Sequence, residues 1–347
     1  MKRHLLPPIA LSLLIAACGE GLDTPMRFSI PSSGPRDPVT TPARDAGADA
    51  GSPGGGGIDA GSSETSTGSG ANDGIFPPDS YWKTRIDGAP VDPRSDAYIA
   101  SMGTNGKLVA SWDADGNGIP YVEVGTSQQD VAVHFWGFPK ESDPGPYPIP
   151  WDAPVDLSGD RHVLVVDRGN GWLYELFGAS RRSDGSWDAS NGAKWNLRSN
   201  DGRPERWTSA DAAGMPIFPG LVRYDEVQAG WIGHALRFAV NRSQRGFVSP
   251  ASHAAGTCAL DSDCPPMGLR VRLKKSVDIS RFSKRMQVVL RALQLYGMFV
   301  ADNTGTSDSW WVAGAPDPRW SDAEDLSLGE LHGSDFEVVA HDDIQPQ

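Results

Sequence analysis

Only three cysteines occur in 347 residues, which rules out a scaffold held together mainly by disulfides. Zinc binding is poorly supported too, because no second Cys or His pair stands at zinc-like spacing beside Cys258 and Cys264. The apolar run from Leu5 to Ala17 falls short of the roughly 20 residues a stable membrane span needs. No Gly-x-Ser-x-Gly elbow, His-Glu-x-x-His pair, Walker loop or dinucleotide fingerprint occurs, which argues against the chemistries those motifs serve. Basic residues are outnumbered throughout. The chain carries a formal charge of -13, and beyond Asp73 there are 26 basic against 36 acidic residues. That balance argues against nucleic acid and anionic lipid as bulk electrostatic partners. No internal repeat appears at a propeller or solenoid period.

What is present begins with a short basic head, Lys2, Arg3 and His4, ahead of the apolar run that closes in Ile15-Ala16-Ala17-Cys18. Head and run read as a secretory signal. Small residues directly before a cysteine resemble the lipobox of bacterial lipoproteins. The resemblance implies that the Cys18 thiol is diacylated, that the chain is cut before it, and that the bilayer is a partner through this acyl group. Gly19 in place of an aspartate implies, by similarity to enteric lipoproteins, the outer membrane or cell surface. Export suits the remaining cysteines: Cys258 and Cys264, six apart, most simply form one local disulfide in an oxidising compartment.

Residues 19–73 are rich in Gly, Ser, Thr, Ala, Asp and Pro and almost devoid of large apolar side chains. Such a segment cannot bury enough surface to offset its ordering entropy, so a random-coil tether of about 40 Å mean reach is expected. The rest, 74–347, reads as one globular domain. Gly and Pro recur every few residues and apolar runs are short, the punctuation of a mainly β fold. Val131, Val133 and Phe135 alternate with Ala132, His134 and Trp136. His162 to Asp167 and Trp172 to Phe177 read as a hairpin across Arg168-Gly169-Asn170-Gly171, and Ile232 to Val240 and Gly268 to Val277 as further strands. In the last of these, Arg270, Arg272 and Lys274 are expected to face outward. Met286, Val289, Leu290, Leu293 and Tyr296 repeat at helical spacing behind a Ser280 or Ser283 cap, with a strand from Met298 to follow. A shorter helix is expected over Ser209 to Ala213. The fold expected is an antiparallel β-sandwich or jelly-roll-like domain with one packed amphipathic helix.

Several segments carry residues suited to chemistry. Asp113-Ala-Asp115-Gly-Asn117-Gly118 sets oxygens at alternate positions, as in a calcium loop, and makes Asp113, Asp115 and Asn117 candidate ligands for a structural calcium. No Glu stands at the twelfth position, so a polar hairpin turn competes with that reading. A Pro-stiffened loop runs from Lys140 to Pro150 beside Trp136, Phe138 and Trp151. Rings stack on the apolar faces of pyranoses and carboxylates grip hydroxyls. Trp136, Glu141, Asp143 and Tyr147 are therefore candidate sugar contacts, with His162 and His253 as further polar ones. Glycoside hydrolysis needs two carboxyl groups across the scissile bond, for which Glu175, Asp211 and Glu226 qualify by type. A polysaccharide lyase needs a base and cations, parts open to Tyr224, His234 and Arg237.

The stretch Ser209 to Glu226, with Ala301-Asp302-Asn303 and Gly314-Ala-Pro-Asp-Pro-Arg-Trp320, resembles a group of secreted bacterial proteins that often carry sugar-binding or cell-surface modules. That resemblance implies extracellular polysaccharide as the setting and assigns no catalytic residue. Two readings stand at this point. One is a surface-tethered carbohydrate-active enzyme, hydrolase or lyase. The other is a non-catalytic glycan-binding or structural surface lipoprotein.

Overall fold

The apolar alternation places strands in the chain before it says how they pair, and the pairing comes from a computed structural model. It describes residues 75–305, 307–321 and 325–347; the lipobox, Cys18 and the tether lie outside the described residues. In chain order the strands are β1 (Leu108–Ser111), β2 (Tyr121–Glu123), β3 (Val133–Phe135), β4 (Val163–Asp167), β5 (Trp172–Phe177), β6 (Ser180–Arg181), β7 (Trp187–Ala189), β8 (Asn191–Asn196), β9 (Leu236–Val240), β10 (Gly246–Phe247), β11 (Arg270–Leu273), β12 (Met298–Asn303), β13 (Trp310–Ala313), β14 (Phe336–Val338) and β15 (Gln345–Pro346). The helices are α1 (Ser95–Met102), α2 (Tyr224–Ala229) and α3 (Lys284–Leu295). The domain is mainly β, as its composition implies.

A four-stranded sheet, β2-β4-β5-β8, is covered on both sides. Leu164, Val166, Leu173, Ala193 and Trp195 point into a large core shared with the six-stranded sheet β1-β13-β9-β12-β11-β14. Val163, Val165 and Leu176 point the other way, into a smaller core with Tyr147, Trp187 and Ala189 of the three-stranded β3-β7-β6 side. This double covering is why every residue of β4 is buried and why its sequence, Val-Leu-Val-Val-Asp, shows no polar alternation.

The β4–β5 hairpin forms as expected, with Leu164 opposite Glu175 and Asp167 opposite Trp172. Helix α3 also forms, Ser283 Oγ accepting the Met286 N–H as its cap, and Met286, Val289, Leu290 and Leu293 face the core. Three expectations need revision. The sheets are mixed rather than purely antiparallel, since β1–β13, β9–β12, β2–β4 and β3–β7 run parallel. Alternation fixes which face is buried, whereas direction is set by the long connections between strands. Residues 209–213 form a polar turn in place of a helix, because Ser209 Oγ and an Asp211 carboxylate oxygen accept the N–H groups of Asp211 and Ala213. Arg272 is buried instead of outward. It pairs with Glu337 at 2.7 Å and donates to the carbonyls of Ile86 and Ala89, so the chain ahead of α1 covers the face that alternation assigns to solvent.

Candidate functional site

The interface between the four- and six-stranded sheets gathers polar side chains from distant parts of the sequence. His162 precedes β4 by one residue and Glu175 lies on β5. They share a face because His162 is two residues before Leu164, the partner of Glu175. His162 Nδ1 bonds an Asp156 carboxylate oxygen at 2.6 Å, and its Nε2 donates to the Ala210 carbonyl at 3.1 Å. Burial alone would push this imidazole down. The hydrogen bond and charge of Asp156, helped by Asp160, overcome burial and hold it at about 9, while Asp156 falls to about 2 against its own burial. From β9, Arg237 donates through Nε to Asp211 at 3.2 Å, and both groups are buried. Burial raises the Asp211 carboxyl and Arg237 opposes the rise. Asp302, on β12, is pushed up to about 7 by burial, with Arg237 opposing and Asp160 and Asp211 adding to the rise.

Glu175 is 0% exposed. Its carboxylate accepts the Trp195 indole N–H at 3.0 Å and the backbone N–H groups of Ile217 and Phe218 at 2.9 Å. Burial lifts it to about 7 against the pull of these donors. Three converging N–H groups make Glu175 the tie that fixes the 210–218 segment onto β5, a structural task that leaves no oxygen open to a substrate.

Glu226 and His234 belong to a separate group. Arg223 Nη2 donates to one Glu226 oxygen at 2.6 Å and His234 Nε2 donates to the other at 3.2 Å, while His234 Nδ1 donates to the Ala235 carbonyl at 2.8 Å. Burial alone would lift the Glu226 carboxyl, but Arg223 and His234 reverse that and bring it to about 2. Tyr224 packs edge-on against Trp320 with Arg319 over its ring, so it has no contact with the Glu175 group. The six candidates for acid–base work therefore split: Glu175, Asp211 and Arg237 lie together with His162, whereas Glu226 and His234 lie elsewhere with Arg223.

The Pro-stiffened loop is largely spoken for by its own neighbours. Asp143 accepts from Arg203 at 2.7 Å and from the Lys194 N–H at 2.8 Å. Glu141 accepts the Thr208 N–H at 2.9 Å, and fully buried Tyr147 donates to the Asp143 carbonyl at 2.8 Å. His253 is half-buried and donates to the Ala212 carbonyl at 2.7 Å. Trp136 differs from all of these, being 64% exposed. It follows His134 by two residues, on the outer face of the β3-β7-β6 sheet. There His134, Asp188 and Ser180 stand in register and Arg182 pairs with Asp188 at 3.0 Å. Val133, Phe135 and Trp187 take the inner face.

At the candidate calcium loop, one Asp113 oxygen accepts the N–H groups of Asp115 and Asn117, both at 2.9 Å, and the other accepts the Asn117 amide. Asp113 is thereby engaged in closing the turn between β1 and β2. Among the described residues no group of three His, Cys, Asp or Glu side chains is placed to hold a metal ion. Cys258 and Cys264 are joined in the expected disulfide. A shallow depression of about 400 Å³ lies by Gly103, Thr104, Asn105, Lys107 and Asp308, none of them a candidate above.

Asp156, Asp160 and Asp302 escaped the sequence reading of the site. Only Asp302 had a signal, within the distinctive Ala301-Asp302-Asn303. The other two sit in a loop whose approach to Arg237 depends on how two sheets stack. Compared with family models, with curated proteins and with solved structures, the chain gives no match in any of the three.

Proposed function

We propose that this chain is an exported, lipid-anchored surface protein whose β-rich domain binds glycan without turning it over. One observation carries the reading: Trp136 presents most of its indole to solvent on a polar sheet face, while two of the carboxylates suited to catalysis, Glu175 and Asp211, are buried. A large aromatic ring left in water is uncommon on a protein without a partner, and a ring edged by His134, Asp188 and Ser180 matches the apolar face and hydroxyl rim of a pyranose. The lipobox and the tether supply the setting, holding the domain outside the cytoplasm through Cys18.

A catalytic reading is favoured by one observation, the rise of both Glu175 and Asp302 to about 7 in one cluster, since carboxyls poised near neutrality suit proton transfer. Against it stands the burial of Glu175, Asp211 and Arg237.

The deciding experiment incubates the mature chain with a panel of neutral and acidic polysaccharides. Retarded migration in glycan-containing gels, lost in Trp136→Ala, is expected, with neither new reducing ends nor ultraviolet absorbance from an unsaturated uronate. Turnover of any polymer would replace this reading with the catalytic one. For the anchor, labelling cells with a fatty-acid analogue should mark the wild-type chain and leave Cys18→Ser unmarked.

A further inference from the structure

We propose that the Trp136 face selects carboxylate-bearing glycans, with Arg161 supplying the cation that grips the uronate; this rests on the glycan-binding reading above. The two residues reach the same short stretch of chain from different directions. The Trp136 ring edge lies over Gly178, where an added Cβ would be 3.4 Å from Cζ2. Beside it, Arg161 and Ala179 exchange bonds, the Ala179 N–H donating to the Arg161 carbonyl at 3.0 Å and Arg161 Nε donating to the Ala179 carbonyl at 2.9 Å.

Arg161 is thus tethered by Nε alone. Its two terminal nitrogens take no hydrogen-bond or ion-pair partner among the described residues, and the side chain is exposed. The contrast with its neighbours is informative. Arg182, on the same sheet, is neutralised by Asp188, and Arg181 lies over the Trp187 ring while donating to the Ala153 carbonyl. Arg161, anchored at Ala179 one residue along from the Gly178 that lies against Trp136, keeps its planar pair of terminal donors open, the geometry that receives a carboxylate bidentately. Its backbone sits at φ 50°, a left-handed conformation a bulky side chain rarely adopts, and the exchange with Ala179 holds it there. The neighbouring Asp160 side chain is turned inward and buried, so it does not neutralise the guanidinium from the solvent side. The chain's formal charge of -13 opposes a polyanion at long range, but beyond about 8 Å that repulsion is screened at physiological salt. A ring to stack on and a fixed, open guanidinium together match a uronic acid better than a neutral hexose.

The test uses the mature chain with two probes, polygalacturonate and the same polymer after carboxyl reduction to neutral galactose units. Wild type should bind the acidic polymer roughly tenfold more tightly at physiological salt, the worth of one charge-assisted contact. That preference should fade as salt is raised. Arg161→Gln should abolish the preference and leave affinity for the reduced polymer unchanged, Arg161→Lys should keep part of it, and Trp136→Ala should lose both polymers. Equal wild-type affinity for the two polymers at physiological salt would overturn the proposal while leaving glycan binding intact, as would a preference that survives in Arg161→Gln. Binding to neither polymer would remove both readings. Should the Gln variant fold poorly, the salt dependence of the wild-type preference decides alone.

Discussion

His162 Nδ1 stands 2.6 Å from an Asp156 carboxylate oxygen, and both side chains are buried. The imidazole is consequently a cation at neutral pH, and its second N–H ties the loop at Ala210 to the start of β4. Removing one partner leaves a charge without compensation in the interior. Asp156→Asn should therefore lower stability by about 3–5 kcal/mol in urea unfolding at pH 7. A loss below about 1 kcal/mol would mean that the pair is not buried in solution.

The same pair shapes the pH dependence. His162 is raised from 6.5 to about 9, so its contribution is complete below pH 6.5 and disappears as pH climbs through 9. Glu175, raised from 4.5 to about 7, and Asp302, raised from 3.8 to about 7, favour the folded state when protonated, and their contribution is lost as pH rises toward 7. Asp156 and Glu226, both lowered to about 2, act in the opposite sense and lose their contribution as pH falls toward that value. Thermal melts should show a maximum at about pH 5 with a decline on the alkaline side. Asp156→Asn should flatten the part of that decline between pH 6.5 and 9.

Glu175 accepts three N–H groups. A Glu175→Gln amide would turn an NH2 toward at least one of them, leaving buried donors unpaired. A loss of about 1–3 kcal/mol per unpaired donor is expected in denaturant titrations. A variant as stable as wild type would imply that the carboxyl is neutral and already rotated to donate.

Gly178 has φ 65°, and a Cβ there would lie 2.9 Å from that of Ser190 and against the Trp136 ring. Gly178→Ala should cost about 1–2 kcal/mol in stability through the left-handed backbone. It should also weaken glycan binding, because the backbone against the ring must move to relieve the contact with Ser190. Unchanged affinity in the folded variant would separate Trp136 from the binding face.

The Cys258–Cys264 bridge closes a short loop. Paired Cys258→Ser and Cys264→Ser changes should lower stability by about 2 kcal/mol by the loop-entropy argument. The rest of the domain should stay folded, since Gln244 still accepts the Asp261 N–H and donates to the Cys264 carbonyl. Global unfolding on reduction would show that this loop supports more than itself.

Local pattern in the sequence was enough for β5, for helix α3, with its cap narrowed to Ser280 or Ser283, and for the disulfide, because each rests on contacts between residues close along the chain. It also put Val133 and Phe135 on one face and Trp136 on the other, which left a tryptophan pointing outward before any partner strand was known. The stacking of sheets was beyond its reach. Arg272 reads as a solvent-facing residue until the chain ahead of α1 folds over it, and Asp211 reads as helical until its carboxylate meets Ala213 and Arg237. Glu175, Asp211, Arg237 and His162 come together while Glu226 and His234 go elsewhere, although residue type alone makes them equivalent. Hydrophobic periodicity is a property of each strand by itself. Which buried charge meets which depends on the relative placement of strands far apart in the chain, from β5 (Trp172–Phe177) to β9 (Leu236–Val240) and β12 (Met298–Asn303), and that is a decision only the packed interior makes.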